Sequence, residues 1–448
     1  MYGLMFRQFV RSRTAILGMS LLLAMGLISI MIGKQFLADQ EKTAAQVAEK
    51  QLDHIERNVD LHADDLGLLL YYLKFALVNE AHPLAGISIG QRDVNPSVIS
   101  VNILTLEGQK YNIDLVNPTQ LLYGNLDLSF MLIYVFPLII IAFSYNLRSE
   151  EEESGTWRLV QVTSSTPMKF LLMKLSLRAL ALLSMMLILY GVAIFALSIP
   201  LSTELMAFMS ISILYLLFWF ALSFWIVSMK RNSNFNALSL LSIWLGLVVL
   251  LPATLNNYLT NKYPMPEALS TMIQQRDAYH QKWDTEKRPT MEQFYGHYPQ
   301  YASFGYPAED GGFSWLWYYA MQDAGDKESR EQSKLMIDKI LQREKSSKAW
   351  GYVIPGLHAQ LRFNELAGTG LLNHMDFLEY VEDYHEKTRL YFYPKIFSEE
   401  TAEVVEWEKF PPEYLEFKEE INWFSSLLPL LLSILLFGGL SFINFKKD

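Results

Sequence analysis

The chain contains no cysteine among its 448 residues. It can therefore form neither a disulfide framework nor a thiolate metal site. It also lacks the H-E-x-x-H pattern of helical zinc sites, and its eight histidines form no other metal signature, so we expect no metal. A G-x-x-x-x-G-K-[ST] loop is absent too, which excludes ATP hydrolysis by the common P-loop design within this chain. No nucleophile elbow or paired-carboxylate motif points to an enzyme.

Charge is scarce in six long stretches of the sequence, each of which is about long enough to cross a ~30 Å hydrocarbon core as a helix. We therefore predict a polytopic α-helical membrane protein with six transmembrane helices. The predicted division of the chain is an amphipathic interfacial helix (1–13), a first span (14–34), a first outer segment (35–125), a second span (126–146), a loop (147–173), spans three to five (174–259), a second outer segment (260–424), and a sixth span with a short tail (425–448).

Basic residues border these runs almost entirely on one side of the predicted membrane. Because basic loops stay in the cytoplasm, this asymmetry predicts cytoplasmic N- and C-termini and two large extracytoplasmic segments. The flanking basic residues are Arg7, Arg11, Arg13, Arg148, Arg158, Lys169, Lys174, Arg178, Lys230, Arg231, Lys446 and Lys447.

The two outer segments carry different patterns. In the first, residues 38–80 have helical spacing, and an alternating stretch at 98–104 with another at 111–115 predicts a β-hairpin turning near Glu107. We expect a small α+β piece there. The second is acidic and contains amphipathic patterns at 326–345 and 371–391, so we expect a larger, mostly helical domain with its own core. Its acidity argues against nucleic-acid binding.

Two groups in these segments are candidates for contact with a ligand or partner. The first is aromatic, and clustered rings of this kind either clamp ligands or pack a core, with core or membrane-interface packing favoured. Its members are Tyr295, Tyr298, Tyr301, Trp315 and Trp317. The second is the pair Arg92 and Asp93, for which we favour a turn-stabilising ion pair over a ligand contact.

The loop after the second span has the features of a docking site. No Asp, Glu, His or Lys lies near the middle of a span, which disfavours ion-coupled transport and points to energy from a cytoplasmic partner. Four consecutive glutamates are followed by a potential helix break, an apolar stretch and a helix start. The candidate docking residues are Glu150, Glu151, Glu152, Glu153, Gly155, Thr156, Trp157, Pro167 and Lys169.

At this loop the chain resembles the ABC-2 type permease subunits of ABC transporters. The match is carried by Glu152, Glu153, Gly155, Thr156 and Pro167, by the loop's position between spans two and three, and by a basic amphipathic N-terminal helix with Arg7 and Arg11. The large outer segments, including residues 82–96, are similar to those of a bacterial subgroup. The resemblance implies an exporter subunit in the bacterial cytoplasmic (inner) membrane, with the loop docked on a separate ABC ATPase that binds ATP and Mg²⁺.

The resemblance further implies a second permease subunit, identical or related, and leaves room for a periplasmic partner. It does not identify the cargo. The alternative from a different class is a membrane-anchored receptor or scaffold whose outer segments bind a ligand or partner without transport. Six spans exceed what an anchor needs, so the permease interpretation is favoured.

Overall fold

The computed structural model describes residues 2–110, 125–163, 167–265, 277, 280–309, 312–417 and 420–446. Its largest features are six helices that are long and apolar enough to cross a membrane, as the six apolar runs predict. We refer to them as spans 1 to 6. They are Arg13–His62, Leu128–Glu153, Pro167–Ala196, Thr203–Ser228, Ser233–Lys262 and Trp423–Lys446. The interfacial helix, Tyr2–Arg11, precedes span 1.

Spans 2 and 5 each contain a π-helical turn. In span 2, the turn Met131–Val135 follows the helical residues Leu128–Phe130 and precedes the helix Phe136–Ser144. In span 5, the turn Leu245–Leu250 separates the helices Ser233–Trp244 and Leu251–Lys262. A proline stands directly after the first residue of each following helix. Proline has no N–H to donate, so a local change in hydrogen-bond pattern accommodates it.

The helix of span 1 is 50 residues long, about 75 Å, and therefore extends far beyond a bilayer. The predicted helix over 38–80 is wrong in its second half. The helix ends at His62, a short helix Leu66–Tyr72 follows, and Phe75–Asn79 is a strand, β1. Asp65 begins the short helix by accepting a 2.9 Å hydrogen bond from the Leu68 N–H.

The sheet has three strands in the order β2–β1–β3. β2 (Val98–Val101) pairs antiparallel with β1, whereas β3 (Glu413–Leu415) belongs to the second outer segment and pairs parallel with β1. β1 therefore joins the two segments into one sheet.

The predicted turn of the hairpin after β2 is wrong, because a helix occupies its place. The chain turns from β2 into the helix Glu107–Lys110, and residues 111–115 lie outside the described residues. Between β2 and this helix, side chains accept hydrogen bonds from two backbone N–H groups. The N–H of Asn102 donates to Gln109 (2.9 Å) and the N–H of Leu106 donates to Asp326 (2.7 Å).

The two outer segments share one hydrophobic core instead of forming two separate domains. One cluster packs Ile55, Leu69 and Phe75 from the first segment against Phe294 and Tyr393 from the second. Another packs strand residues against the last long helix of the second segment. The helices of that segment are Lys287–His297, Trp315–Gly351, Pro355–Leu366 and Leu371–Phe397, with short 3₁₀ turns at Pro299–Phe304, Ala402–Val404 and Trp407–Lys409. The two predicted amphipathic helices are thus confirmed.

The span bundle has two different ends. The joined outer segments, hereafter the extramembrane domain, lie at the domain end. The helix Pro355–Leu366 of this domain enters the bundle, where Phe363 stacks on Phe208 of span 4 with ring centroids 4.1 Å apart. At the loop end, Met5, Trp157 and Phe445 pack around a small core with Phe170 and Phe224. The interfacial helix, the last described turn of span 6 and the part of the loop that begins at Trp157 therefore lie together.

Candidate functional site

The candidate docking loop consists of two short helices separated by a glycine. The helix Ser149–Glu153 continues from span 2, and the helix Trp157–Thr163 follows it. Gly155 between them has φ +77°, a left-handed conformation that favours glycine, so the predicted helix break is confirmed. Span 3 begins at Pro167, as expected for proline at a first helical position.

The four glutamates do not form one acidic surface. Glu151 accepts hydrogen bonds from Lys174 of span 3 and from Thr156 across the glycine. Glu152 pairs with Arg148 at 2.8 Å, and the Arg148 guanidinium lies 4.8 Å from the centre of the Trp157 ring. These contacts brace the loop against itself and against span 3.

Glu153 connects the loop to span 5. Its Oε1 accepts a 3.0 Å hydrogen bond from the N–H of Ser233, and the hydroxyls of Ser149 and Ser233 lie 2.7 Å apart. Ser233 is the first residue of span 5, where N–H groups have no partner within the helix. The loop is therefore held by three spans, because span 2 continues into it, Lys174 of span 3 bonds to Glu151, and Ser233 of span 5 bonds to Glu153.

The helix Trp157–Thr163 presents two unlike faces. Val160 is 8% exposed and packs with Phe170 and Phe224. Leu159 and Val162 are 64% and 85% exposed, and Arg158 and Glu150 are exposed as well. Lys169 is also exposed at the start of span 3. A braced loop with exposed apolar side chains among charges is suited to contact with another protein.

The interfacial helix has the predicted amphipathic character. Arg7 and Arg11 are exposed on it, and so are Leu4, Phe6 and Val10. The helix is fixed to the bundle by Phe9, whose ring meets that of Phe143 edge-on at 5.2 Å. Exposed apolar residues beside arginines are typical of a helix lying in the membrane interface.

The aromatic candidates pack the core of the extramembrane domain and form no open ligand surface. Tyr295, Tyr298, Tyr301 and Trp317 are each at most 8% exposed. Trp315, at the edge of the same cluster, donates its ring N–H to Asp65 at 3.1 Å. The rings stabilise the joined domain, as the core-packing interpretation expects.

Arg92 and Asp93 do not form the expected ion pair. The buried guanidinium of Arg92 donates to the backbone carbonyls of Asn79, the last residue of β1, and Glu80. Asp93 accepts a 2.7 Å hydrogen bond from Asn125. Arg92 thus fixes the end of the strand, where carbonyls otherwise lack partners.

A network of buried charges in the extramembrane domain was missed by the sequence analysis. Arg389 is 3% exposed and contacts Asp323 and Asp326, while its guanidinium also donates to the carbonyls of Ile103 and Leu104. The network continues through ion pairs among Glu107, Lys110, Glu382 and Arg330.

Five of these side chains, Glu107, Asp326, Arg330, Glu382 and Arg389, line a cavity of about 200 Å³. Burial raises the pKa of Asp326 to about 6, although Arg389 opposes that shift. Since the charges satisfy one another, the network acts as a connection between the first segment and two helices of the second. The i, i+3 spacing of Asp323 and Asp326 beside a run of buried aromatic residues was the available sequence signal. No group of His, Asp and Glu within the described ranges could hold a metal ion.

Comparison with known proteins identifies part of the extramembrane domain. Residues 269–414 match a family model described as a domain of unknown function, DUF3526. The match covers less than half of the chain and includes the helix bearing Asp323 and the helix bearing Arg389. No curated protein and no solved structure matches the chain.

Proposed function

We propose that this chain is the membrane-spanning permease subunit of an ATP-driven ABC-2 type transporter, working as an exporter. A separate ABC ATPase binds ATP and Mg²⁺ and docks on residues 148–172. A second permease, identical or related, completes the transport path. The proposal places the chain in a bacterial cytoplasmic membrane with both termini in the cytoplasm.

The observation that carries this proposal is the construction of the docking loop. Its outer face exposes Leu159 and Val162, while its inner face is fixed by Val160 and by the bond from Ser233 to Glu153. A partner that moves this loop moves spans 2, 3 and 5 with it. Closure of two ATPase subunits then biases the spans between two arrangements, because the loop makes different contacts in each state.

The extramembrane domain extends this coupling to the opposite end. Its helix Pro355–Leu366 lies against span 4 through Phe363 and against span 6 through His358, whose ring nitrogen is 2.8 Å from the carbonyl of Ser426. If span 4 moves relative to span 6, the helix Pro355–Leu366, which contacts both, is expected to move as well. We propose that this domain controls release of the cargo or passes it to a periplasmic partner.

The test is co-purification from the native cell in mild detergent. The tagged wild type is expected to bring an ABC ATPase with it. Leu159→Asp places a charge in the proposed apolar contact and is expected to weaken the complex about tenfold or more. The recovered ATPase is quantified relative to the chain by mass spectrometry.

The matched control is Leu61→Asp, which changes a leucine of 63% exposure on the helix of span 1, within the extramembrane domain. It is expected to retain the ATPase. Absence of any ATPase from wild type, under conditions that preserve other ABC complexes, contradicts the exporter proposal. Ligands of the extramembrane domain would then be sought, as the receptor alternative requires.

A further inference from the structure

The feature that supports a further site is a cavity of about 150 Å³ at the loop end. It lies where the interfacial helix, the start of span 1, the end of span 2 and the start of span 3 meet. Met5, Phe9 and Leu177 line its apolar part. In a membrane, this is the level at which lipid headgroups meet acyl chains.

The polar part of the cavity is rich in side chains that lack partners. Gln8 and Thr14, which are exposed, and Tyr145 and Asn146, which are half-buried, line it, and their side chains make no hydrogen bond to other described residues. Arg178 reaches the cavity from span 3 and donates one Nη1 hydrogen bond to the Phe143 carbonyl. Its Nε and Nη2 have no partner within the described part of the chain.

The Arg178 guanidinium lies about three turns after the start of span 3 and needs a counter-charge, because a lone charge within a span is costly. Glu150 lines the same cavity and is near enough for its charge to act on Arg178, but the two side chains form no ion pair within 4 Å in the described structure. Lys174, the other cation of the lining, is already bonded to Glu151. The cavity therefore presents a positive and a negative group that attract each other without direct contact, leaving room for a ligand between them.

We propose that this cavity binds the headgroup of a phospholipid with a primary ammonium, such as phosphatidylethanolamine. The phosphate accepts hydrogen bonds from Arg178 and from neighbouring amide and hydroxyl groups. The ammonium faces Glu150, and the glycerol and first methylenes lie along Met5, Phe9 and Leu177. A guanidinium matches phosphate geometry, and a primary ammonium supplies the donors that a carboxylate accepts.

The proposed lipid site and the docking loop are connected, because Glu150 lines the cavity and is also part of the loop helix Ser149–Glu153. A bound lipid would hold the helix Ser149–Glu153 against the interfacial helix and span 3. The inference depends on the membrane location and not on the exporter proposal, so it is tested on the isolated chain without an ATPase.

The experiment is native mass spectrometry of the detergent-solubilised chain, titrated with phosphatidylethanolamine, phosphatidylglycerol or phosphatidylcholine of equal acyl length. Wild type is expected to bind phosphatidylethanolamine most tightly. Arg178→Gln is expected to weaken that binding about tenfold or more, since it removes a charged donor. Glu150→Gln is expected to remove the preference for phosphatidylethanolamine over phosphatidylglycerol.

Arg231→Gln removes an exposed arginine at the same end of the bundle, outside the cavity, and is expected to leave the preference unchanged. If Arg178→Gln does not fold, Asn146→Ala and Glu150→Gln provide the test. Equal affinity of wild type for the three lipids, or unchanged binding in these variants, overturns the proposal. Free phosphoethanolamine binding as tightly as the lipid would assign the cavity to a soluble ligand and overturn it too.

Discussion

At the scale of single residues, the same side-chain type has different roles according to its neighbours. Glu150 is exposed beside the proposed lipid cavity, whereas Glu153 serves the first N–H of span 5. Arg92 and Arg389 are both buried and both bind backbone carbonyls, yet only Arg389 also has acidic partners. A buried guanidinium costs free energy unless its donors are satisfied; backbone carbonyls satisfy Arg92, and carbonyls together with two carboxylates satisfy Arg389.

His374 provides a prediction at this scale. Burial, with the nearby positive charge of Arg92, lowers its pKa to about 4 from an ordinary value near 6.5. Between these values the unfolded chain binds the proton and the folded chain does not, so stability falls as the pH falls from 6.5 towards 4. At pH 5 the loss from this group is about 2 kcal/mol. The thermal unfolding midpoint of His374→Gln is expected to drop less between pH 7 and pH 5 than that of wild type.

The control for this measurement is His280→Gln, which replaces an exposed histidine and is expected to retain the acid sensitivity of wild type. If the unfolding midpoint of His374→Gln drops between pH 7 and pH 5 as much as that of wild type, the acid sensitivity belongs to other groups.

At the scale of elements, close helix packing fixes the domain on the bundle. Gly33 of span 1 lies against the turn Pro83–Gly86, and a Cβ on Gly33 would overlap the Gly86 carbonyl. Because the obstacle is backbone, it cannot rotate away as a side chain can. This contact joins the transmembrane part of span 1 to the first outer segment.

Gly33→Ala is therefore expected to destabilise the chain by about 2 kcal/mol or more through overpacking. Gly191→Ala in span 3 is the matched control, because no heavy atom lies within 4 Å of a Cβ at that position. It is expected to leave the thermal unfolding midpoint in detergent unchanged or slightly raised. Equal midpoints for the two variants would show that the turn can move away from span 1.

At the scale of the whole molecule, the two ends of the bundle are distinguished by what gathers there. Both outer segments form one domain through β1 and β3, which requires them to lie on the same side of the membrane. The interfacial helix, the docking loop and the end of span 6 gather at the other end. Six crossings produce this grouping, because an even number of spans separates the two outer segments. Which end faces the cytoplasm is proposed from the basic residues that flank the spans.

The orientation of the chain in the membrane can be measured by cysteine labelling. The chain has no cysteine of its own, so no native residue has to be replaced first. Glu331→Cys marks an exposed position of the extramembrane domain, and Gln161→Cys marks the docking loop. In intact spheroplasts, a membrane-impermeant maleimide is expected to label only the first. Gln161→Cys is expected to react after permeabilisation. The reverse pattern would contradict cytoplasmic termini and the proposed docking of a cytoplasmic ATPase.

The sequence by itself determined the six spans, the break at Gly155 and the helix start at Pro167. These features are local, since a bilayer demands a continuous apolar run and a left-handed turn favours glycine. The permease function remains a prediction from resemblance. Only the tertiary structure decided that the two outer segments share a sheet and core, and that Arg389 is buried. Strand partners and counter-charges lie far apart in the chain, so local patterns cannot specify them.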